Sequence, residues 1–275
     1  MKRFTCILLA LSLLLLAACS KQAIELAEGQ SVLSEDTVSV HPDLPDVIFR
    51  AVRPEDGNVY GEELYVVNAR TGGVINHFIL ADYNEGFSVM GGEDGQLNYE
   101  LMDLNFDGYQ DFRLFSLGSM HFGRVFVWDI EAGAFDFDAA LSELSISGVE
   151  DGLIRTFDRG SAENHREGGY KYIDGELVLA EETISHVVQL KQGVTQAQFS
   201  EVFPQLDWEM RSILLYRAVK VLEDGELTLV EARFELRQSD EREIEWDLAA
   251  QHEADSAAGK KLAELVDWDQ TLNEQ

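Results

Sequence analysis

The stretch Asp103-Leu-Asn-Phe-Asp-Gly-Tyr-Gln-Asp111 holds the residues best suited to chemistry in this chain. It places side-chain oxygens at Asp103, Asn105, Asp107 and Asp111, with Gly108 between the third and the fourth. A hard divalent cation such as calcium takes six to eight oxygens at about 2.3–2.6 Å, and alternate acidic positions on a tightly curled loop supply them. Gly108 permits the sharp turn, which aims the backbone carbonyl of Tyr109 inward as a further ligand. The expected metal set is therefore Asp103, Asn105, Asp107, Tyr109 and Asp111, with calcium as the cofactor.

The pattern matches the first half of an EF-hand loop, but Leu114 stands where that loop carries its bidentate glutamate. Asp111 has to close the cage instead. A simpler alternative is a polar hairpin turn, because Asp-Gly is a strong hairpin signal by itself. The elements that must position the loop are strands. Leu97, Tyr99 and Leu101 alternate before it, and Phe112 and Leu114 alternate after it.

The N-terminus speaks to location. Lys2 and Arg3 precede an apolar run from Ile7 to Ala18 broken only by Ser12, too short to span a bilayer and fitting a secretory signal peptide. Its end, Leu16-Ala-Ala-Cys19, resembles the bacterial lipoprotein cleavage box. That resemblance implies cleavage after Ala18, lipid on Cys19 and, with Ser20 rather than Asp next, an outer-membrane anchor facing the periplasm. The other cysteine, Cys6, falls in the removed segment, so the mature chain is expected to lack a disulfide.

The 275 residues carry 51 acidic and 21 basic side chains, a net charge of -30. Such a surface repels phosphate backbones and argues against nucleic acid as a partner. It favours solubility and attraction to a cationic protein.

Along the chain, residues 1–18 read as signal peptide and 19–45 as a flexible tether. Residues 46–184 read as a β domain, and 185–275 as an extension that packs on that domain or continues its sheet. Strand-like runs and Asp-Gly turns recur through the first part, with Arg124 to Ile130 apolar on both faces as in a central strand. In the tail, Thr195-Gln-Ala-Gln198 is a capping box, Asp224-Gly225 marks a long hairpin, and Ala258, Leu262, Leu265, Trp268 and Leu272 recur at helical spacing. The expected fold class is mainly β, an antiparallel sandwich-like domain with a small β-plus-helix extension.

From Glu63 to Glu182 the chain resembles a bacterial secreted family. The hallmarks are the Asp-x-Asn-x-Asp-Gly-x-x-Asp loop, then Val125-Phe-Val-Trp-Asp129, Phe135 and Leu141-Ser-Glu-Leu144. Tyr170, Tyr172, Gly175, Leu177 and Leu179 fit its closing strands. The family includes immunity proteins against muramidase effectors of an antibacterial type IV secretion system. It is similar in fold to periplasmic inhibitors of invertebrate-type lysozyme. Together with the anchor and the acidic charge, the resemblance implies an envelope lipoprotein that binds, and inhibits, a basic cell-wall muramidase, or that binds another envelope protein. The inhibitors insert a Ser-Gly-x-Tyr loop into the enzyme. The corresponding residues here are Ser119, His121 and Phe122, without the glycine and the tyrosine hydroxyl. An ordinary connecting loop is the alternative for them, and a structural lipoprotein with a stabilising calcium is the alternative for the whole.

Catalysis has no positive signal. His41, His77, His121, His165, His186 and His252 show no zinc spacing, and there is no nucleophile elbow or phosphate-binding glycine loop. The chain is expected not to be an enzyme.

Overall fold

The computed structural model describes residues 26–58, 61–83, 90–91, 96–115, 123–159, 164–204, 211–239 and 247–268. The fold is mainly β, as expected, and all its strand pairs are antiparallel. The chain divides between Leu144 and Ser145 into two compact units.

In the first unit, β1 (Gln30–Val38), β2 (Val47–Pro54), β3 (Glu63–Asn68) and β4 (Val74–Ile79) form a meander in sequence order. The pair β5 (Met90–Gly91) and β6 (Gln96–Leu97) follows. Then β7 (Tyr99–Met102), β8 (Asp111–Phe115), β9 (Gly123–Asp129) and β10 (Ala134–Asp138) make a second sheet, ordered β10-β9-β8-β7. Period-two alternation aims Phe49 and Ala51 of β2, Leu64 and Val66 of β3, Phe112 and Leu114 of β8 and Phe126 and Trp128 of β9 into one core. Its centre is aromatic. Phe112 lies 4.7 Å from Phe126, 4.7 Å from Phe135 and 4.8 Å from Phe49, centroid to centroid.

One side chain links the two sheets. Asn76 of β4 donates from Nδ2 to the Phe135 carbonyl, and its Oδ1 accepts the Phe135 amide, both at 2.9 Å. A side-chain amide thereby satisfies both backbone groups of a residue on edge strand β10. The short helix α1 (Ala139–Ser142) is capped by Asp138, and its Ser142 hydroxyl accepts the amide of Val125.

Two sequence expectations are corrected in this unit. The tether assigned to 19–45 contains β1, which pairs with β2 along its length, and Val38 and Val40 are core residues. A register shift between Val32 and Ser34 breaks the alternation, so no period is legible there. Ile130, expected to fill a face of the central strand, lies just beyond the end of β9 and is 53% exposed.

The second unit is one seven-stranded meander: β11 (Ile146–Glu150), β12 (Leu153–Arg159), β13 (His165–Ile173), β14 (Glu176–Val187), β15 (Arg211–Glu223), β16 (Glu226–Ser239) and β17 (Asp247–Glu253). The domain boundary expected at 184/185 falls inside β14, which pairs continuously with β13 and β15. The tail thus continues a sheet that starts at β11. Type I′ geometry closes the tight hairpins, with φ of 52° and 84° at Asp174-Gly175 and 50° and 86° at Asp224-Gly225.

Helix α2 (Gln196–Ser200) opens on the expected capping box and ends before Pro204. Helix α3 (Ala257–Leu265) starts at Ser256, whose hydroxyl accepts the Gly259 amide. Phe199, Phe203, Leu262 and Val266 pack with Leu214, Phe234 and Leu236 of the sheet, and Trp268 joins this core edge-on to Tyr216 at 5.1 Å.

Buried charge in this unit is paired. Glu182 meets Lys220 at 2.8 Å and Arg166 at 2.6 Å, and Glu235 meets Arg233 and Arg237 at 2.7 Å each. Burial pushes both carboxyls up, but these hydrogen bonds and charges outweigh it and hold them below the ordinary 4.5. Folded values below the unfolded one mean the stabilisation is present above pH 4.5 and lost as pH falls through the folded values. We expect the acid limb of stability to begin below that pH. The double substitution Glu182→Gln, Glu235→Gln should flatten it while costing about 1–3 kcal/mol at pH 7. Urea unfolding across pH 3–7, roughly the carboxylate range and its flank, measures both effects.

Candidate metal centre

Met102 pairs with Asp111 at the mouth of the acidic loop, so residues 103–110 form an eight-residue connection. This is not a two-residue Asp-Gly hairpin. The left-handed positions are Phe106, at φ 60°, and Gly108, at φ 90°, whereas at the tight hairpins the aspartate itself is left-handed. The loop curls around its own amides. Asp103 accepts the Asp107 amide on Oδ1 at 3.1 Å and the Gly108 amide on Oδ2 at 2.9 Å. Asn105 Oδ1 accepts the Asp107 amide at 3.1 Å, and Asp107 Oδ1 accepts the Tyr109 amide at 2.8 Å. Asn105 also donates from Nδ2 to Asp107 Oδ2 at 2.8 Å. Side-chain oxygens of Asp103, Asn105 and Asp107 are thus held on one exposed loop, each amide bond leaving its oxygen a second lone pair.

Asp111 is placed differently. It is fully buried, accepting the Leu104 amide on Oδ2 and the Trp128 amide on Oδ1, each at 2.8 Å. Burial pushes its carboxyl up to about 6. The two amide bonds oppose that rise, and the charges of Asp107 and Asp103 add to it. Asp111 fixes the root of the loop to β9, a role that sequence reading missed. The one available signal was an aspartate at the edge of an apolar strand, directly before Phe112.

The far side of the loop is docked as well. Gln110 donates its amide to the Val40 carbonyl at 2.8 Å, and the Tyr109 ring stacks on His41 at 4.4 Å. Neither contact was foreseen, because both partners lie in the stretch read as tether. Among the described residues, no group of three or more His, Cys, Asp or Glu side chains is arranged to hold a metal ion. Cys19 and the partner-loop residues Ser119, His121 and Phe122 lie outside the described residues.

Fold and site together define a mainly β, antiparallel protein with a curled acidic loop pinned at the end of a two-sheet unit. No family model matches the chain, and no curated protein matches it. It is similar, at 16% identity and a TM-score of 0.35, to a solved structure described as "Structure of a Xanthomonas Type IV Secretion System related protein". The similarity covers 77% of this chain and 86% of that one. At that level the functional reading rests on this chain's own residues.

Proposed function

We propose that this chain is a calcium-binding lipoprotein of the bacterial envelope that binds another protein in the periplasm, with a basic cell-wall muramidase as the first partner to test. The observation that carries the calcium part is the loop geometry: Asp103, Asn105 and Asp107 hold their oxygens on one turn curled by two left-handed residues. Those side chains and the Tyr109 carbonyl would hold the ion, with Asp111, whose two oxygens each keep a lone pair beyond the amide they accept, closing the set. Bound calcium would neutralise the crowded carboxylates and tie the loop to its neighbours. The anchor rests on Leu16-Ala-Ala-Cys19, and the partner on the net charge of -30 and the family resemblance.

A second reading has its own support. The loop amides are already satisfied by loop side chains, and both Asp111 oxygens are engaged, so the loop can hold its shape without an ion. The loop is then a structural turn rather than a metal site.

Thermal unfolding in calcium against chelator separates the two. At calcium a hundredfold above its Kd the folded state should gain about 2.7 kcal/mol, and Asp107→Ala should remove most of that gain. An unchanged melting curve in calcium ends the metal reading. Fatty-acid labelling that persists in Cys19→Ala ends the anchor reading. Surface plasmon resonance against a panel of muramidases tests the partner.

A further inference from the structure

We infer that the loop end of the first unit, where the acidic loop emerges, is the surface that docks a basic protein partner, with Phe106 as its apolar anchor. This rests on the protein-binding reading above and names the surface responsible.

Four connections gather at this end: β1 to β2, β3 to β4, β7 to β8 and β9 to β10. Hydrogen bonds tie them together. Ala69 donates to the Asp46 carbonyl at 2.9 Å, Gln110 donates to the Val40 carbonyl at 2.8 Å, and Trp128 donates to Asp111 at 2.8 Å. The platform is therefore held in place before any partner arrives, which lowers the cost of binding.

Two large apolar side chains stand in solvent on it, Phe106 at 39% exposure and Ile130 at 53%. Phe106 is costly twice over. A bulky residue at φ 60° is strained, and a glycine or asparagine would serve the loop better. Its ring also leaves 39% of the residue's surface in water. A strained residue that leaves part of a large ring in solvent is what a binding anchor looks like before its partner arrives.

The rim supplies the charge argument. Asp43, Asp46, Asp103, Asp107 and Glu131 stand on these connections, and Asp43 and Asp46 line an open pocket of about 480 Å³ whose one guanidinium is Arg70. Two carboxylates against one cation, on a chain of net charge -30, fit an arginine or lysine of a basic partner and repel an acidic one. Phe115 and Gly123, which flank the 116–122 segment, lie at the opposite end of β8 and β9, so the two candidate surfaces are separable by mutation.

Phe106→Asn is the deciding variant, because asparagine tolerates the left-handed region and the fold should not suffer. With the intact protein captured in detergent micelles, surface plasmon resonance is run against a muramidase panel and polylysine. We expect Phe106→Asn to keep its melting temperature yet speed dissociation of the bound muramidase at least tenfold. Asp43→Asn with Asp46→Asn should slow association several-fold and flatten its salt dependence. If a muramidase binds and Phe106→Asn changes dissociation less than twofold while Phe122→Ala releases the partner, this surface is wrong and the protein-binding reading stands. If only polylysine binds, or nothing does, both fall.

Discussion

Asp111→Ala should be among the most damaging single substitutions in this protein, lowering stability by about 2–5 kcal/mol with or without calcium. The carboxylate is fully buried and serves two amides from different parts of the chain, Leu104 in the loop and Trp128 in β9. Removing it leaves two buried N–H groups without an acceptor, at about 1–3 kcal/mol each, and opens a small void beside them. Asp111→Asn should cost less, because its carbonyl oxygen can still serve one amide while its NH₂ faces the other. Denaturant unfolding followed by near-UV circular dichroism gives both values, and a loss under about 1 kcal/mol for the alanine variant would refute the pinning role.

The same group gives this effect a pH signature. Burial raises the Asp111 carboxyl to about 6 from an ordinary 3.8. A folded value above the unfolded one means the folded state holds the proton more tightly. In the calcium-free protein its contribution is therefore most favourable below 3.8 and declines as pH rises through about 6. Asp111→Asn should abolish that slope. This trend opposes the one expected from Glu182 and Glu235, whose stabilisation is lost on acidification, so the Asp111 variant and the double-glutamine variant should alter opposite limbs of the pH profile.

How much of this could be read in the sequence depended on whether the signal was local. The acidic loop, the capping box at Thr195 and the hairpin at Asp224-Gly225 were legible because each depends on residues within a few positions of one another. β1 was not. Its pairing partner is local, but a register shift at Val32/Ser34 and interspersed acidic residues erase the alternation that would announce it. The unit boundary was misplaced for a related reason. Each strand of the second sheet pairs with its neighbour in sequence, and no change of composition marks where one meander stops and another begins. At the site, the spacing revealed the oxygens but not their tasks. Asp111 completes the ligand pattern, and its second task as a buried acceptor arises because β9 passes beside it with the Trp128 amide facing it. Contacts such as His41 on Tyr109 and Asn76 on Phe135 join residues far apart in sequence, and single-sequence periodicity carries no trace of them.

The core behind the loop supplies the other large effect. Phe112 follows Asp111 directly and points to the opposite face of β8, where it is fully buried and stacks on Phe126 with their planes 11° apart. Phe49 and Phe135 close over it at 4.8 and 4.7 Å. Replacing it with alanine removes a ring that both sheets share, and rigid aromatic neighbours held by strands on either side cannot collapse into the space. The loss should reach about 3–5 kcal/mol, a large share of the 5–15 kcal/mol that a domain typically has. Phe112→Leu keeps much of the volume and should lose roughly half as much. The loop should respond too, because Asp111 is held in place by the same strand. In Phe112→Ala, any calcium-dependent gain in melting temperature should shrink although no loop oxygen has changed. Chemical denaturation of both variants gives the losses, and thermal melts in calcium and in chelator give the shift in melting temperature. Equal losses for alanine and leucine would mean that the cavity is filled by relaxation and that this core is softer than its packing indicates.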